Sequence, residues 1–129
     1  MRAFRVWCLA TALGLAPVVN GAGSTGAADF QVMEATVDSV QQAYAQKRLT
    51  SRQLVQMYLD RIAAFDQHGP KINSIINLDP RALAEADRLD AAYARSGPVG
   101  PLHGIPVLIK DQADVAGLPT TLGSVTLSP

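Results

Sequence analysis

The sequence is poor in cysteine: its single cysteine, Cys8, lies within the first 28 residues. Without those residues the chain has no thiol, which excludes a disulfide, a cysteine nucleophile and a cysteine-based metal site. The two histidines, His68 and His103, lie 35 residues apart, and their spacing suggests no third ligand. No metal site is therefore predicted.

The sequence also lacks an excess of positive charge. Lysine and arginine total 11, and aspartate and glutamate also total 11. Because Arg2 and Arg5 lie in the first 28 residues and no acidic residue does, the remainder carries 9 basic and 11 acidic residues, a formal charge of −2. This balance does not suggest a nucleic-acid-binding surface.

The first 28 residues have the order of a secretory signal peptide. Arg2 and Arg5 precede an apolar run at 6–19, and small residues follow it. The apolar run is too short for a good membrane span. We therefore predict a signal peptide at 1–28, a mature region at 29–129, and a secreted or periplasmic protein with no stable membrane span after cleavage.

Residues 36–47 are predicted to form the first helix. Val37, Val40 and Tyr44 recur at intervals of three and four residues, which is one face of a helix, and Thr36 is a suitable N-terminal cap.

A second helix is predicted to begin after Thr50. Thr50 and Gln53 form a capping box, and Leu49 and Leu54 flank the cap as a hydrophobic staple. Tyr58 lies at helical spacing within the apolar stripe, so we interpret it as a core residue rather than a catalytic one. Gly69 and Pro70 are expected to end this helix.

A strand and a third helix are predicted next. Residues 72–78 carry isoleucine on both faces, as in a strand covered on each side. Asp79 is expected to cap the third helix, with Pro80 in its first position, and the sequence from Ser96 to Pro98 to end it. The charged residues of this helix are expected to be exposed; they are Arg81, Glu85, Asp87, Arg88, Asp90 and Arg95.

The stretch 100–111 is the most informative part of the chain. It begins as a Gly/Pro-rich loop, continues as an apolar run at 105–109 that suits a strand buried on both faces, and then reaches Lys110. Such a lysine either reaches solvent at the end of the strand or is held inside, where desolvation favours the neutral amine and makes it a possible general base. The order of helices and strands predicts an α/β architecture, with the two strands parallel.

The stretches 100–111 and 117–124 resemble the amidase signature family of serine hydrolases. The upstream sequence from 35 onward has the matching order of elements, so the resemblance extends to about residue 128. It implies the N-terminal helices and first strands of that family's mixed-sheet fold, in incomplete form. The C-terminus, which has no helix or strand period, is interpreted as a cut.

The resemblance also implies a function. Members of this family hydrolyse carbon–nitrogen amide bonds with a serine nucleophile, a second serine in a cis peptide bond and a lysine, which by motif position is Lys110. Both serines and the oxyanion hole would lie beyond Pro129, so this part alone is expected to be inactive. The resemblance implies a small-molecule amide substrate and no cofactor or metal, and it gives Ser124 and His103 structural roles.

Two alternatives remain. One is the amidotransferase component of the same family, which amidates charged tRNA with ammonia from glutamine; a signal peptide argues against it because tRNA is cytoplasmic. The other is a non-catalytic binding module that keeps the opening segment of the family without its serines.

Overall fold

The computed structural model describes residues 30–127, and the predicted signal peptide lies outside them. No helix in this range is long and apolar enough to cross a membrane. A π-helix continues the second α-helix, and a short 3-10 helix lies near the end of the range. The elements are α1 (Val37–Ala45), α2 (Ser51–Arg61), the π-helix Ile62–Gln67, α3 (Ala82–Ser96) and the 3-10 helix Val125–Leu127.

The first two helices begin at the predicted threonines. Thr36 caps α1, where its hydroxyl accepts a hydrogen bond from the Ser39 N–H at 3.1 Å. Thr50 caps α2 in the predicted capping box: its hydroxyl accepts from the Gln53 N–H at 3.1 Å, and Gln53 Oε1 accepts from the Thr50 N–H at 2.9 Å. Each pair satisfies amide groups that the first helical turn leaves free.

The core lies between α1 and the start of α2. Leu49 and Leu54, the predicted staple, are both buried in one apolar cluster, and Tyr58 packs against that cluster as predicted. Val37 is 40% exposed, so its predicted place on the inner face is wrong. The buried members of the cluster are Phe30, Val40, Ala43, Tyr44, Leu49 and Leu54.

Asp90 joins α3 to the start of α2. Its carboxylate accepts hydrogen bonds from the Ser51 N–H at 2.7 Å and the Arg52 N–H at 3.1 Å. The prediction that Asp90 is an exposed surface charge is wrong, because the free amide groups at the N-terminus of α2 bind a carboxylate from a neighbouring helix.

The start of α3 also differs from the prediction. The helix begins at Ala82 with Arg81 in the cap position, so Asp79 is not the cap and Pro80 is not the first helical residue. Asp79 instead accepts hydrogen bonds from the Arg81 N–H at 2.9 Å and from Arg81 Nε at 3.0 Å. The predicted end is confirmed, since Gly97 follows the helix with φ of +76°.

The two predicted strands do not form among residues 30–127, so the α/β prediction is confirmed only in its helical part. At 72–78, Asn73 has a left-handed φ of 51°, and the Ser74 and Ile75 amides donate to the Asp66 carboxylate instead of to a neighbouring strand. At 105–109 no described segment supplies the backbone partners that a strand requires.

The loop at 97–106 is fixed against the first two helices. The Tyr44 hydroxyl donates to the Gly104 carbonyl at 2.8 Å, and burial raises the pKa of Tyr44 to about 12, so it remains a donor. Gln41 Nε2 donates to the His103 carbonyl at 3.1 Å. A Cβ on Gly104 would lie 2.3 Å from Ser51 Oγ, so only glycine allows this close approach.

Replacing Gly104 with alanine is expected to lower the free energy of unfolding by about 1–3 kcal/mol, because the methyl group displaces Ser51 and φ is +69°. Urea denaturation of purified variants measures this. Gly97→Ala is the control that has backbone strain but no clash, since φ of Gly97 is +76° and the space around its Cβ is open. Gly100→Ala is the control that has neither the strain nor the clash. Equal losses in Gly104→Ala and Gly97→Ala would contradict the steric argument.

Asp66 makes the stability of the turn at 66–75 dependent on pH. Its carboxylate accepts hydrogen bonds from the Ser74 hydroxyl at 2.6 Å, the Ser74 N–H at 2.6 Å and the Ile75 N–H at 3.3 Å. These bonds, the Ser74 hydroxyl first, hold the pKa of Asp66 below its ordinary value of 3.8. The stabilisation is therefore complete above pH 3.8 and is lost as the pH falls through the lower folded-state pKa.

Ser74→Ala is expected to bring the pKa of Asp66 back toward 3.8 and to reduce stability more at neutral pH than in strong acid. A carboxyl ¹³C NMR titration gives the first result, and urea denaturation at the two pH values gives the second. Ser96→Ala is the matched control, because the Ser96 hydroxyl bonds within α3. An unchanged Asp66 titration in Ser74→Ala would show that the hydroxyl does not set this pKa.

Candidate functional site

Lys110 lines a cavity of about 830 Å³ within the described residues. The wall is formed by the apolar side of α2, the segments 74–79 and 106–111, and residues of the loop at 113–119. The α2 residues in the wall are Val55, Tyr58 and Leu59, with Ile62 following the helix. The cavity therefore combines a mainly apolar lining with a few polar groups, as small-molecule sites do.

The side chain of Lys110 is exposed to solvent. The apolar residues before it are exposed as well, with Val107 at 73%, Leu108 at 79% and Ile109 at 57%. The prediction of a strand buried on both faces is therefore wrong within residues 30–127. Of the two placements considered for Lys110, the structure shows the one in which the amine reaches solvent.

Asp111 binds a second loop beside the lysine. Its carboxylate accepts hydrogen bonds from the Thr121 N–H at 3.1 Å, the Thr121 hydroxyl at 2.5 Å and the Gly123 N–H at 3.3 Å. The Asp111 carbonyl also accepts from the Leu122 N–H at 3.1 Å. We call Asp111 with residues 121–123 the aspartate clasp. The sequence reasoning missed it; the signal was an aspartate followed ten residues later by a Thr/Gly turn.

A further set of contacts fixes the loop at 116–119. Arg81 Nη2 donates to the Ala116 carbonyl at 3.3 Å, and the Arg81 guanidinium lies 3.1 Å from the position of a Cβ on Gly117. Asn77 Nδ2 donates to the Pro119 carbonyl at 3.4 Å. The segments on both sides of the cavity are thus joined by side-chain hydrogen bonds to backbone carbonyls.

His103 has the contacts of a structural residue. It is 3% exposed, its Nδ1 accepts a hydrogen bond from the Val99 N–H at 3.3 Å, and its ring centroid lies 5.4 Å from that of Tyr93. Its Nε2 has no hydrogen-bond partner within residues 30–127. His103 does not line the cavity that contains Lys110.

The remaining polar residues that were considered lie outside this cavity. His68 is exposed near the end of the π-helix, where its Nδ1 lies 2.9 Å from the Ala63 carbonyl. The Ser124 N–H donates to the Thr121 carbonyl at 2.8 Å within the turn of the aspartate clasp. No group of three or more potential metal ligands occurs among residues 30–127.

The chain is similar in sequence to amidases and to related amidotransferases. The family model described as Amidase matches residues 53–129. A probable amidase of Arabidopsis thaliana is 37% identical over 101 residues, which cover 76% of this chain and 19% of the relative. A glutamyl-tRNA(Gln) amidotransferase component from Thiobacillus denitrificans is 47% identical over 85 residues, covering 65% and 17%. The mandelamide hydrolase of Pseudomonas putida is 36% identical over 96 residues, covering 74% and 18%.

A solved structure agrees with these matches. The peptide amidase PAM, crystallised with the competitive inhibitor chymostatin, superposes with a TM-score of 0.69 at 40% identity, over 71% of this chain and 19% of that one. The chain thus spans about a fifth of the length of the relatives it matches. Together with the match over residues 53–129, this similarity shows that the chain belongs to the amidase signature family.

Proposed function

We propose that the protein is an amidase that hydrolyses carbon–nitrogen amide bonds and that Lys110 is the lysine of its Ser–cis-Ser–Lys triad. The observation that carries the proposal is the position of Lys110: it lies in the family-matched stretch and lines a mainly apolar cavity of about 830 Å³. An amide substrate placed in this cavity would bring its scissile bond near the amine.

In this mechanism Lys110 acts as the general base. Its neutral amine accepts the proton of the nucleophilic serine through the bridging serine, and the resulting ammonium later helps to protonate the leaving amine. We propose that the two serines and the oxyanion hole come from sequence outside residues 1–129, so these residues alone are expected to lack activity. The exposed apolar segment 105–109 is proposed to join the family's sheet when that sequence is present, which would also remove Lys110 from water and favour its neutral amine.

A test of the catalytic role uses Lys110→Met in the full-length protein. Because methionine keeps most of the side-chain volume and removes the base, kcat for a simple amide is expected to fall at least about a thousandfold. Lys71→Met is the matched control, since Lys71 is also exposed and does not line the cavity. Steady-state kinetics measures both variants, and residues 1–129 are assayed beside them.

Near-normal kcat in Lys110→Met would refute the assignment of the base. Amide hydrolysis by residues 1–129 alone would refute the proposed location of the serines. A full-length protein that binds amides without turning them over would support the non-catalytic binding module instead.

A second candidate function is that of an amidotransferase. The glutamyl-tRNA(Gln) amidotransferase component from Thiobacillus denitrificans shares 47% identity with this chain, a higher value than the 37% shared with the plant amidase. This similarity favours an amidotransferase that acts on glutamyl-tRNA in the cytoplasm. The predicted signal peptide at 1–28 favours an amidase outside the cytoplasm, so cellular location separates the two.

A full-length protein carrying a C-terminal tag is expected in the periplasmic or secreted fraction of its host. Its mature N-terminus is expected within 23–29, because the small residues at 21–28 offer cleavage sites near Ala22 and at Ala27 or Ala28. Cell fractionation and intact-mass measurement test both points. A cytoplasmic protein that retains residues 1–28, and that amidates glutamyl-tRNA with ammonia, would establish the amidotransferase function.

A further inference from the structure

Asp111 is adjacent to Lys110 in the chain, but its carboxylate is bound elsewhere. The aspartate clasp supplies three donors: the Thr121 hydroxyl, the Thr121 N–H and the Gly123 N–H. These bonds hold the pKa of Asp111 below its ordinary value, the Thr121 hydroxyl contributing most and the charge of Lys110 least. The main partner of this carboxylate is therefore the loop at 121–123 and not the neighbouring ammonium.

The backbone on both sides of Lys110 is fixed. The Lys110 carbonyl accepts hydrogen bonds from the Gln112 N–H at 2.7 Å and the Ala113 N–H at 2.9 Å, and the Asp111 carbonyl accepts from the Leu122 N–H. The Lys110 side chain makes no ion pair within residues 30–127; the three ion pairs there use Arg52, Arg81 and Arg88. The backbone of Lys110 is thus fixed by hydrogen bonds, whereas its amine forms no ion pair within the described residues.

A free carboxylate next to a lysine would act against a general base. A negative neighbour favours the charged ammonium over the neutral amine, and an exposed ion pair shifts that balance by up to about fivefold. Other charged or titratable groups near this site are otherwise placed: Asp79 is bonded to Arg81, Tyr58 lies in the wall of α2, and Asp114 is exposed. Asp111 is adjacent to Lys110 in the chain, and the charge of Lys110 acts on its carboxylate.

We propose that Asp111 is a positioning residue for Lys110: the aspartate clasp fixes the backbone that carries the lysine and turns the carboxylate away from the amine, so that Asp111 does not become its counter-ion. The importance of this arrangement for catalysis rests on the proposed amidase function. The interaction between the Asp111 carboxylate and the Lys110 amine does not depend on that function, because it can be measured without turnover.

The experiment compares the rate at which 1-fluoro-2,4-dinitrobenzene labels Lys110 in full-length variants, measured by peptide mass spectrometry. The reagent attacks only the neutral amine, and Lys47 and Lys71 serve as internal references. In Thr121→Val the carboxylate loses its hydroxyl donor and keeps only the two backbone N–H donors, so it is expected to turn toward Lys110 and slow its labelling about two- to fivefold near neutral pH. Thr121→Ser keeps the hydroxyl and Thr120→Val leaves the clasp intact, so both should label like the wild type.

The double variant Asp111→Asn with Thr121→Val separates charge from structure. If the charge of the loosened carboxylate causes the slowing, removing that charge restores the labelling rate of Lys110. A purely structural effect would leave the double variant as slow as Thr121→Val. Wild-type labelling in Thr121→Val, or no recovery in the double variant, would overturn the proposal.

Asp111→Asn alone is a second test that keeps the Thr121 hydroxyl. Because the wild-type carboxylate is held by the clasp, this variant should change Lys110 labelling less than about twofold. Acceleration of fivefold or more would show that Asp111 is already the counter-ion and would overturn the proposal. If Lys110→Met kept its amidase activity, the catalytic role would fail, and labelling would still decide the charge relation.

Discussion

The close approach of Gly104 to the first two helices is the contact on which the described structure depends. Tyr44 of α1 donates its hydroxyl to the Gly104 carbonyl, and the absent side chain of Gly104 leaves room for Ser51 at the start of α2. This contact joins residues 60 positions apart in the chain. The loop that follows α3 is thereby fixed, and the stretch leading to Lys110 starts from a defined place beside α2.

Aspartate carboxylates hold much of the remaining structure, because few apolar residues outside the core cluster are buried. Asp66, Asp90 and Asp111 each accept hydrogen bonds from backbone amides of a separate segment, and Asp79 binds the amide and side chain of Arg81. A carboxylate accepts several such bonds at once, so one side chain can fix a turn that lacks regular secondary structure. The pKa values of Asp66, Asp79 and Asp111 all lie below their usual range for this reason.

The sequence predicted most of what depends on neighbouring residues and failed mainly where distant residues decide. The start of α3 is a local failure, because Asp79 binds Arg81 two positions away instead of capping the helix. The caps Thr36 and Thr50 and the helix end at Gly97 were correct, since caps act over three or four positions. Asp90 was misjudged because its partners lie 38 and 39 positions away, and the strands at 72–78 and 105–109 require partners that no described segment provides. The motif around Lys110 indicated the family, which the comparisons confirm, whereas the three hydrogen bonds of Asp111 could not be read from it.

The segment at 105–109 has a consequence for how the protein behaves in the cell. It presents Val107, Leu108 and Ile109 to water, and its backbone makes only one hydrogen bond, from the Ile105 N–H to the Leu102 carbonyl, within residues 30–127. Short uncharged apolar segments with unpaired backbone groups promote aggregation between chains, and Pro106 limits this tendency here because proline cannot donate a backbone hydrogen bond to a neighbouring strand. Until another part of a protein covers this segment, solubility depends on keeping these exposed side chains away from the same segment of other chains.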